Sequence, residues 1–343
     1  MAVFPSLRTK PTRSGFTLVE LMVAAVILIF ILGLVFSITT QISGIWRGAN
    51  SKITAFQNAR AAFEGVTRNI NQATLNSYYD YYDASWIARP AGATNFAPAN
   101  YGRRSELEYI SGPADQLFST GVGSKLTHSV FFQAPTGYVS NTNFQMESSS
   151  LMSALGFYVE YTNASKYDQL PRFLRSQTQA DRQAFRLIEW LQPSEKLGIY
   201  DPTQSPTNRG AWYTSAVASG SQSRIIADNI VALIIAPKSN QTDTALAPNY
   251  FYDSSPASYD RDRSHLLPPL LQVTMVAIDE DSAARLRKIY PNSTPPLTTG
   301  LFQQASQYES DMTRLKAVLN GETGGPRLNY RIFATTIDTR ERK

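Results

Sequence analysis

The chain has 343 residues, 43% hydrophobic and 17% charged, which suits one large or two modest folded domains and excludes a disordered chain. It has no cysteine, which excludes disulfides, thiolate metal sites and a cysteine nucleophile and leaves the redox compartment open. The net charge is +5, but Arg8, Lys10 and Arg13 lie before residue 15 with no acid among them, so the remaining 5 − 3 = +2 does not predict nucleic-acid binding.

Residues 21–38, LMVAAVILIFILGLVFSI, are uncharged and approach the roughly 20 residues that span a hydrocarbon core. The run exceeds the apolar region of a cleaved signal peptide, and no A-x-A pattern closes it. The basic flank before it acts as a topology signal that stays on the cytoplasmic side. One acid, Glu20, stands at the start of the run, where an unpaired charge is costly. Beyond Ser43, large apolar residues at 46, 53, 56, 63, 66 and 70 follow the face of one helix, and no proline occurs between Thr12 and Arg89. The pattern predicts a single helix from Phe16 to about Ala73, roughly 85–90 Å long. Its first half is apolar all round. Its second half presents Trp46, Ile53, Phe56, Phe63, Val66 and Ile70 to a folded body.

The stretch SGFTLVELMVAAVILIFILGLV, residues 14–35, resembles the class III signal of type IV prepilins and type II secretion pseudopilins: a basic leader ending in glycine, then Phe-Thr-Leu-x-Glu and an apolar helix. The resemblance implies cleavage between Gly15 and Phe16 by a membrane prepilin peptidase, and N-methylation of the new amine on Phe16. It implies that Glu20, fifth in the mature chain, pairs with the terminal amine of a neighbouring subunit during assembly. It also implies a leader at 1–15, a long helix at 16–76 that is transmembrane in its first part, and a periplasmic or extracellular β-rich head at 77–343. Implied partners are other pilin or pseudopilin subunits, the prepilin peptidase, an inner-membrane assembly platform and membrane lipid. By length and by the order of its later strands, the chain is similar to large minor pilins, J-type minor pseudopilins and the prepilin-like Verru/Chthon cassette proteins.

Past the helix, residues 77–104 read as a loop rich in Tyr, Ala, Asn and Pro, whose Tyr78, Tyr79, Tyr81 and Tyr82 suit packing at the helix–head junction or a subunit contact. Strand-like runs follow at 106–110, 128–134, 155–162, 185–192, 223–237, 270–279 and 328–338, with long polar connections at 138–150, 193–222 and 238–264. Helices are predicted near 280–288 and 303–320. Without regular βαβ alternation, the fold class is α+β, a mainly antiparallel sheet packed on the amphipathic half of the N-terminal helix.

Signals for chemistry are weak. His128 and His265 stand far apart with no nucleophile motif, and read as surface or interface histidines. GVGSK, residues 121–125, lacks the spacing of a phosphate loop. Asp253, Asp260 and Asp262, or Asp279, Glu280 and Asp281, are calcium candidates, but interleaved arginines and helix-start placement favour solvated charge. No catalytic residue, cofactor or metal is predicted. The sequence therefore points to a structural filament subunit acting through assembly. The alternative is a membrane-anchored periplasmic binding protein or tip adhesin that uses the helix as a tether.

Overall fold

A helix that is apolar all round in one half and striped in the other must change surroundings along its length, and α1, Leu18–Ile70, does so. The computed structural model describes residues 15, 17–90, 92–118, 124–140, 150–167, 182–200, 210–220, 222–255, 259–291 and 293–340. Residues 1–14 of the expected leader, Phe16 and residues 121–123 of the GVGSK stretch lie outside these. The chain divides into two compact units, Met1–Ser51 and Lys52–Lys343. In the second unit, Phe63, Val66 and Ile70 of α1 are buried and Phe56 partly so, as the predicted stripe requires, and Ala59 joins them. The stripe is shorter than predicted: Trp46 and Ile53 are exposed. Lys52, at the start of this part of the helix, reaches the buried carboxylate of Asp279 at 3.9 Å.

The fold is α+β with every named strand pair antiparallel. Strands β1 (Tyr78–Tyr82) and β2 (Asn100–Arg104) pair as a two-stranded ribbon. Next come β3 (Ile110–Pro113), a single helical turn α2 (Ala114–Leu117), and the long strands β4 (Lys125–Ala134), β5 (Ser153–Thr162) and β6 (Ala184–Gln192). Then α3 (Ala211–Ser219), β7 (Ser223–Asp228), β8 (Ile230–Lys238), the short β9 (Tyr252–Asp253), β10 (Leu270–Ile278), α4 (Glu280–Ile289), α5 (Tyr308–Leu319) and β11 (Tyr330–Asp338) complete the chain. The six-stranded sheet runs β7-β6-β5-β4-β3-β9 and the three-stranded sheet β11-β10-β8.

The central strands are apolar on both faces because both faces are covered. Val130, Phe132, Phe157 and Leu187 of the larger sheet share one core with Leu233, Ile235, Val273 and Met275 of the smaller sheet and with the buried face of α1. On the far side of the larger sheet, Phe131, Tyr158 and Trp190 pack against Trp212, Tyr213 and Val217 of α3. On the far side of the smaller sheet, Ile234, Val276 and Ile278 pack on Leu286 of α4 and Leu315 and Leu319 of α5. Burying one such side chain contributes about 1.5–3 kcal/mol, so three shared clusters supply the main cohesion of the unit.

Several predicted elements shift for identifiable reasons. The run 223–237 is two strands in two sheets, divided at Asn229, which adopts φ +62°, a left-handed conformation Asn tolerates. Its N–H is held by the Phe185 carbonyl and its side chain donates to Glu280. The strand predicted at 106–110 starts only at Ile110, because side chains take the preceding amides: Gln133 accepts from Glu108 N–H and Ser254 from Tyr109 N–H. The expected loop at 77–104 contains the β1–β2 ribbon, and the connections at 193–222 and 238–264 contain α3 and β9.

His128 is fully buried and not on the surface. It lies where β4 passes β8 without pairing to it. The Ile235 N–H can only donate, so His128 Nδ1 accepts from it at 3.0 Å while Nε2–H faces the Phe302 carbonyl at 2.9 Å. The neighbouring Thr127 hydroxyl accepts from Leu233 N–H. Burial pushes the imidazole pKa down to about 4, below its ordinary 6.5. A depressed histidine pKa means that the unfolded chain binds the proton first. Stability is therefore full above pH 6.5 and falls as pH drops toward 4, by on the order of 3 kcal/mol. Urea melts of the full chain at pH 7.5 and 4.5 should show this loss, and His128→Asn should flatten the slope; an equally steep slope in that variant would assign the loss elsewhere.

Candidate functional site

The stretch Gly15–Glu20 opens α1 and holds the residues singled out in the sequence. Thr17 occupies the position before the first helical residue. Its carbonyl accepts the first helical bond, from Leu21 N–H at 3.2 Å. Its hydroxyl accepts from Glu20 N–H at 3.3 Å, and Glu20 returns the interaction through Oε2. That oxygen accepts from Thr17 N–H and from the Thr17 hydroxyl, both at 2.9 Å. This is a capping box, a Thr and a Glu three residues apart that satisfy each other's otherwise unpartnered backbone donors. The carboxylate also lies at the positive end of the helix dipole, where an anion is favoured.

Thr-x-x-Glu ahead of an apolar run is the sequence signal of this cap, and it gives Thr17 a role beside the charge of Glu20. Gly15 is exposed, and a Cβ placed there would meet nothing within 4 Å. Local packing therefore gives no reason for glycine at this position. Phe16, the other residue of the expected cleavage site, lies outside the described residues.

The run beyond Glu20 has no cover of its own. Every large apolar side chain from Leu18 to Trp46 is exposed, Ile31 the least at 49%. The helix is long and apolar enough to cross a membrane, and none of its most apolar window is buried. Its hydroxyls are satisfied internally, Thr39 donating to the Val35 carbonyl and Thr40 to that of Ser37, both at 2.8 Å. That arrangement lets polar side chains enter a nonpolar medium at little cost.

The other candidates take different places. Asp279 is not solvated; it is the buried N-cap of α4, accepting from Ser282 N–H and from Asn329. Glu280 is paired with Arg182 and Arg287; against the cost of burial, the hydrogen bond from Asn229, that from Arg287 and the charges of both arginines hold its carboxyl below the usual range. Asp253 is buried, while Asp260 accepts from Asp262 N–H within a turn. Among the described residues, no group of three or more His, Asp or Glu side chains could hold a metal ion. The four tyrosines divide: Tyr82 is buried against Trp86 and Tyr259, Tyr79 and Tyr81 face solvent beside Tyr101, and Tyr78 is exposed and donates its hydroxyl to Glu106. His265 is half-buried, with φ +56°, and lines a cavity that no local sequence pattern signals.

Residues 10–36 match the family model described as the prokaryotic N-terminal methylation motif. No curated protein and no solved structure matches the chain. The match spans Lys10 and Arg13 of the basic flank, Gly15, the capping box and most of the apolar run.

Replacing Thr17 by Val keeps its shape and removes the hydroxyl, a loss of about 1 kcal/mol at a helix N-cap. Hydrogen exchange at the Glu20 amide should rise about fivefold in that variant, read by NMR on the full chain in lipid nanodiscs; an unchanged rate would deny the cap any stabilising role.

Proposed function

We propose that the class III signal of type IV pilins and pseudopilins carried by this chain serves a minor pilin or pseudopilin, a structural subunit of a type IV pilus or type II secretion filament. The observation that carries the reading is the methylation motif in register with a capped glutamate and an exposed apolar helix. On this reading residues 1–15 are a leader, removed by a prepilin peptidase between Gly15 and Phe16, and Phe16 is then N-methylated. The basic residues Arg8, Lys10 and Arg13 hold the leader on the cytoplasmic face, and the β-rich part from residue 77 lies in the periplasm or outside the cell. An inner-membrane assembly platform receives the subunit. Function then follows from assembly: the apolar helix moves from lipid into a bundle of identical or related helices.

Cleavage creates a cation on Phe16, five residues or fewer from a carboxylate at the same helix end. A charge withdrawn from water is costly unless paired, so the amine of one subunit and Glu20 of its neighbour relieve each other. The free room around Gly15 supports a peptide bond that an enzyme reads from outside the fold.

The capping box makes the assembly claim separable from a purely local role. Glutamine also satisfies a capping box but carries no charge. Glu20→Gln should therefore insert into the membrane with its helix end intact and fail to enter filaments, as Glu20→Ala should. Wild-type incorporation of Glu20→Gln would reduce Glu20 to a cap. Mass spectrometry of the mature protein decides the processing claim: the expected first residue is a monomethylated Phe16, and an intact Met1 or any other terminus overturns it.

A further inference from the structure

We infer that the second unit binds a small organic acid, a carboxylate on an apolar body, in the cavity bounded by the segment between α1 and β1, the β1–β2 ribbon, the segment leading into β10 and the residues after β11. The cavity has a volume of about 450 Å³, within the range of small-molecule sites. Its wall joins two kinds of surface. Leu75, Leu266, Leu267 and Pro269 form an apolar side, with the Tyr79 ring at the margin. Opposite in character are Arg103 and Arg340, the lining cations.

The two arginines differ in what they already hold. Arg340 is engaged by Asp338, whose carboxylate it meets through both oxygens. Neighbouring Arg104 is paired with Asp80 at 2.7 Å. Arg103 has no carboxylate within ion-pair distance among the described residues. One of its terminal nitrogens donates to the Arg261 carbonyl, and its Nε–H is buried with no hydrogen-bond partner. A buried Nε–H left without an acceptor is costly, and a carboxylate is the best geometric match for a guanidinium.

His265 adds a second incomplete group. Its Nδ1 is buried and unpartnered. The residue is held at the wall by its backbone: its N–H donates to the Ser254 carbonyl at 2.7 Å, and its carbonyl accepts from the Ser77 hydroxyl at 2.7 Å. A non-glycine residue at φ +56° carries conformational strain, which the surrounding bonds sustain. Burial and the positive charges of Arg104 and Arg103 keep the ring neutral, with its pKa near 4. The ring is therefore a polar neighbour to an anion and not a second cation. One unpaired guanidinium beside an apolar wall suits a single carboxylate and not a polyanion.

The probe is phenylacetate, with the isosteric neutral phenylacetamide as control, titrated against the full chain in lipid nanodiscs and against empty nanodiscs. Saturable binding of the acid, at least tenfold tighter than the amide, is expected, as is a tenfold or greater loss in Arg103→Gln. Tyr79 is exposed, so Tyr79→Ala leaves the core untouched; it should weaken binding severalfold. Equal affinity for acid and amide in the native chain, or no saturable binding, overturns the inference without recourse to any variant. Wild-type affinity in a folded Arg103→Gln does the same. A tripeptide ending in phenylalanine, with free or amidated carboxyl, separates the sources: tighter binding of the free-acid tripeptide than of phenylacetate assigns the site to a peptide terminus, and the reverse order to a free acid. Filament incorporation is a separate readout, so failure here does not bear on the assembly role.

Discussion

Eighteen consecutive uncharged residues, 21–38, have no protein surface to cover them, and this constraint governs the rest of the molecule. Each large side chain left in water forgoes about 1.5–3 kcal/mol of burial, so the run must be sheltered by lipid or by other helices. Lipid satisfies the side chains without satisfying a backbone, and an α-helix satisfies its own backbone except at its ends. The difficult point is thus the first turn, where free N–H groups meet the membrane boundary. Thr17 and Glu20 close that turn.

The second unit solves a different problem with the same material. Its central strands are apolar on both faces, so each sheet needs two covers. The half of α1 that follows Lys52 packs its stripe into the core that the two sheets share, while α3 covers one outer face and α4 and α5 the other. Where β4 and β8 pass without a ladder, amides of β8 would be buried without acceptors. Thr127 and His128 supply those acceptors from their side chains. The cost is chemical: the imidazole must stay neutral, which links the cohesion of the unit to pH.

Much of this was legible where one period or one local motif decided the outcome. The stripe of α1 from Phe56 to Ile70, the strands β5, β6 and β10, and the capped start of α4 follow directly from apolar spacing and end signals. The apolar run 223–237 shows the limit. Its composition is that of one long strand, and only the left-handed turn at Asn229, fixed by Phe185 and Glu280 from distant segments, sends its halves to two sheets. Trp46 and Ile53 show another: periodicity gives the face of a helix but not where its cover begins. The burial of His128 and the Arg103 cavity depend on contacts between residues up to 265 positions apart in order, as from Leu75 to Arg340, and nothing in a local window reports them.

The first turn of α1 also reconciles two demands on one carboxylate. A capping role alone would be met by Gln, and a pairing role alone would not need Thr17. Both capping bonds from Thr17 fall on Oε2 of Glu20. A carboxylate has two oxygens with about four acceptor sites, so capping does not exhaust it. On the proposed reading, the cap holds the side chain in one rotamer at the helix end before any partner arrives. A neighbour's amine then meets a charge already positioned, and less side-chain entropy is lost on pairing. The same bonds that end the helix thereby prepare the contact that begins the filament.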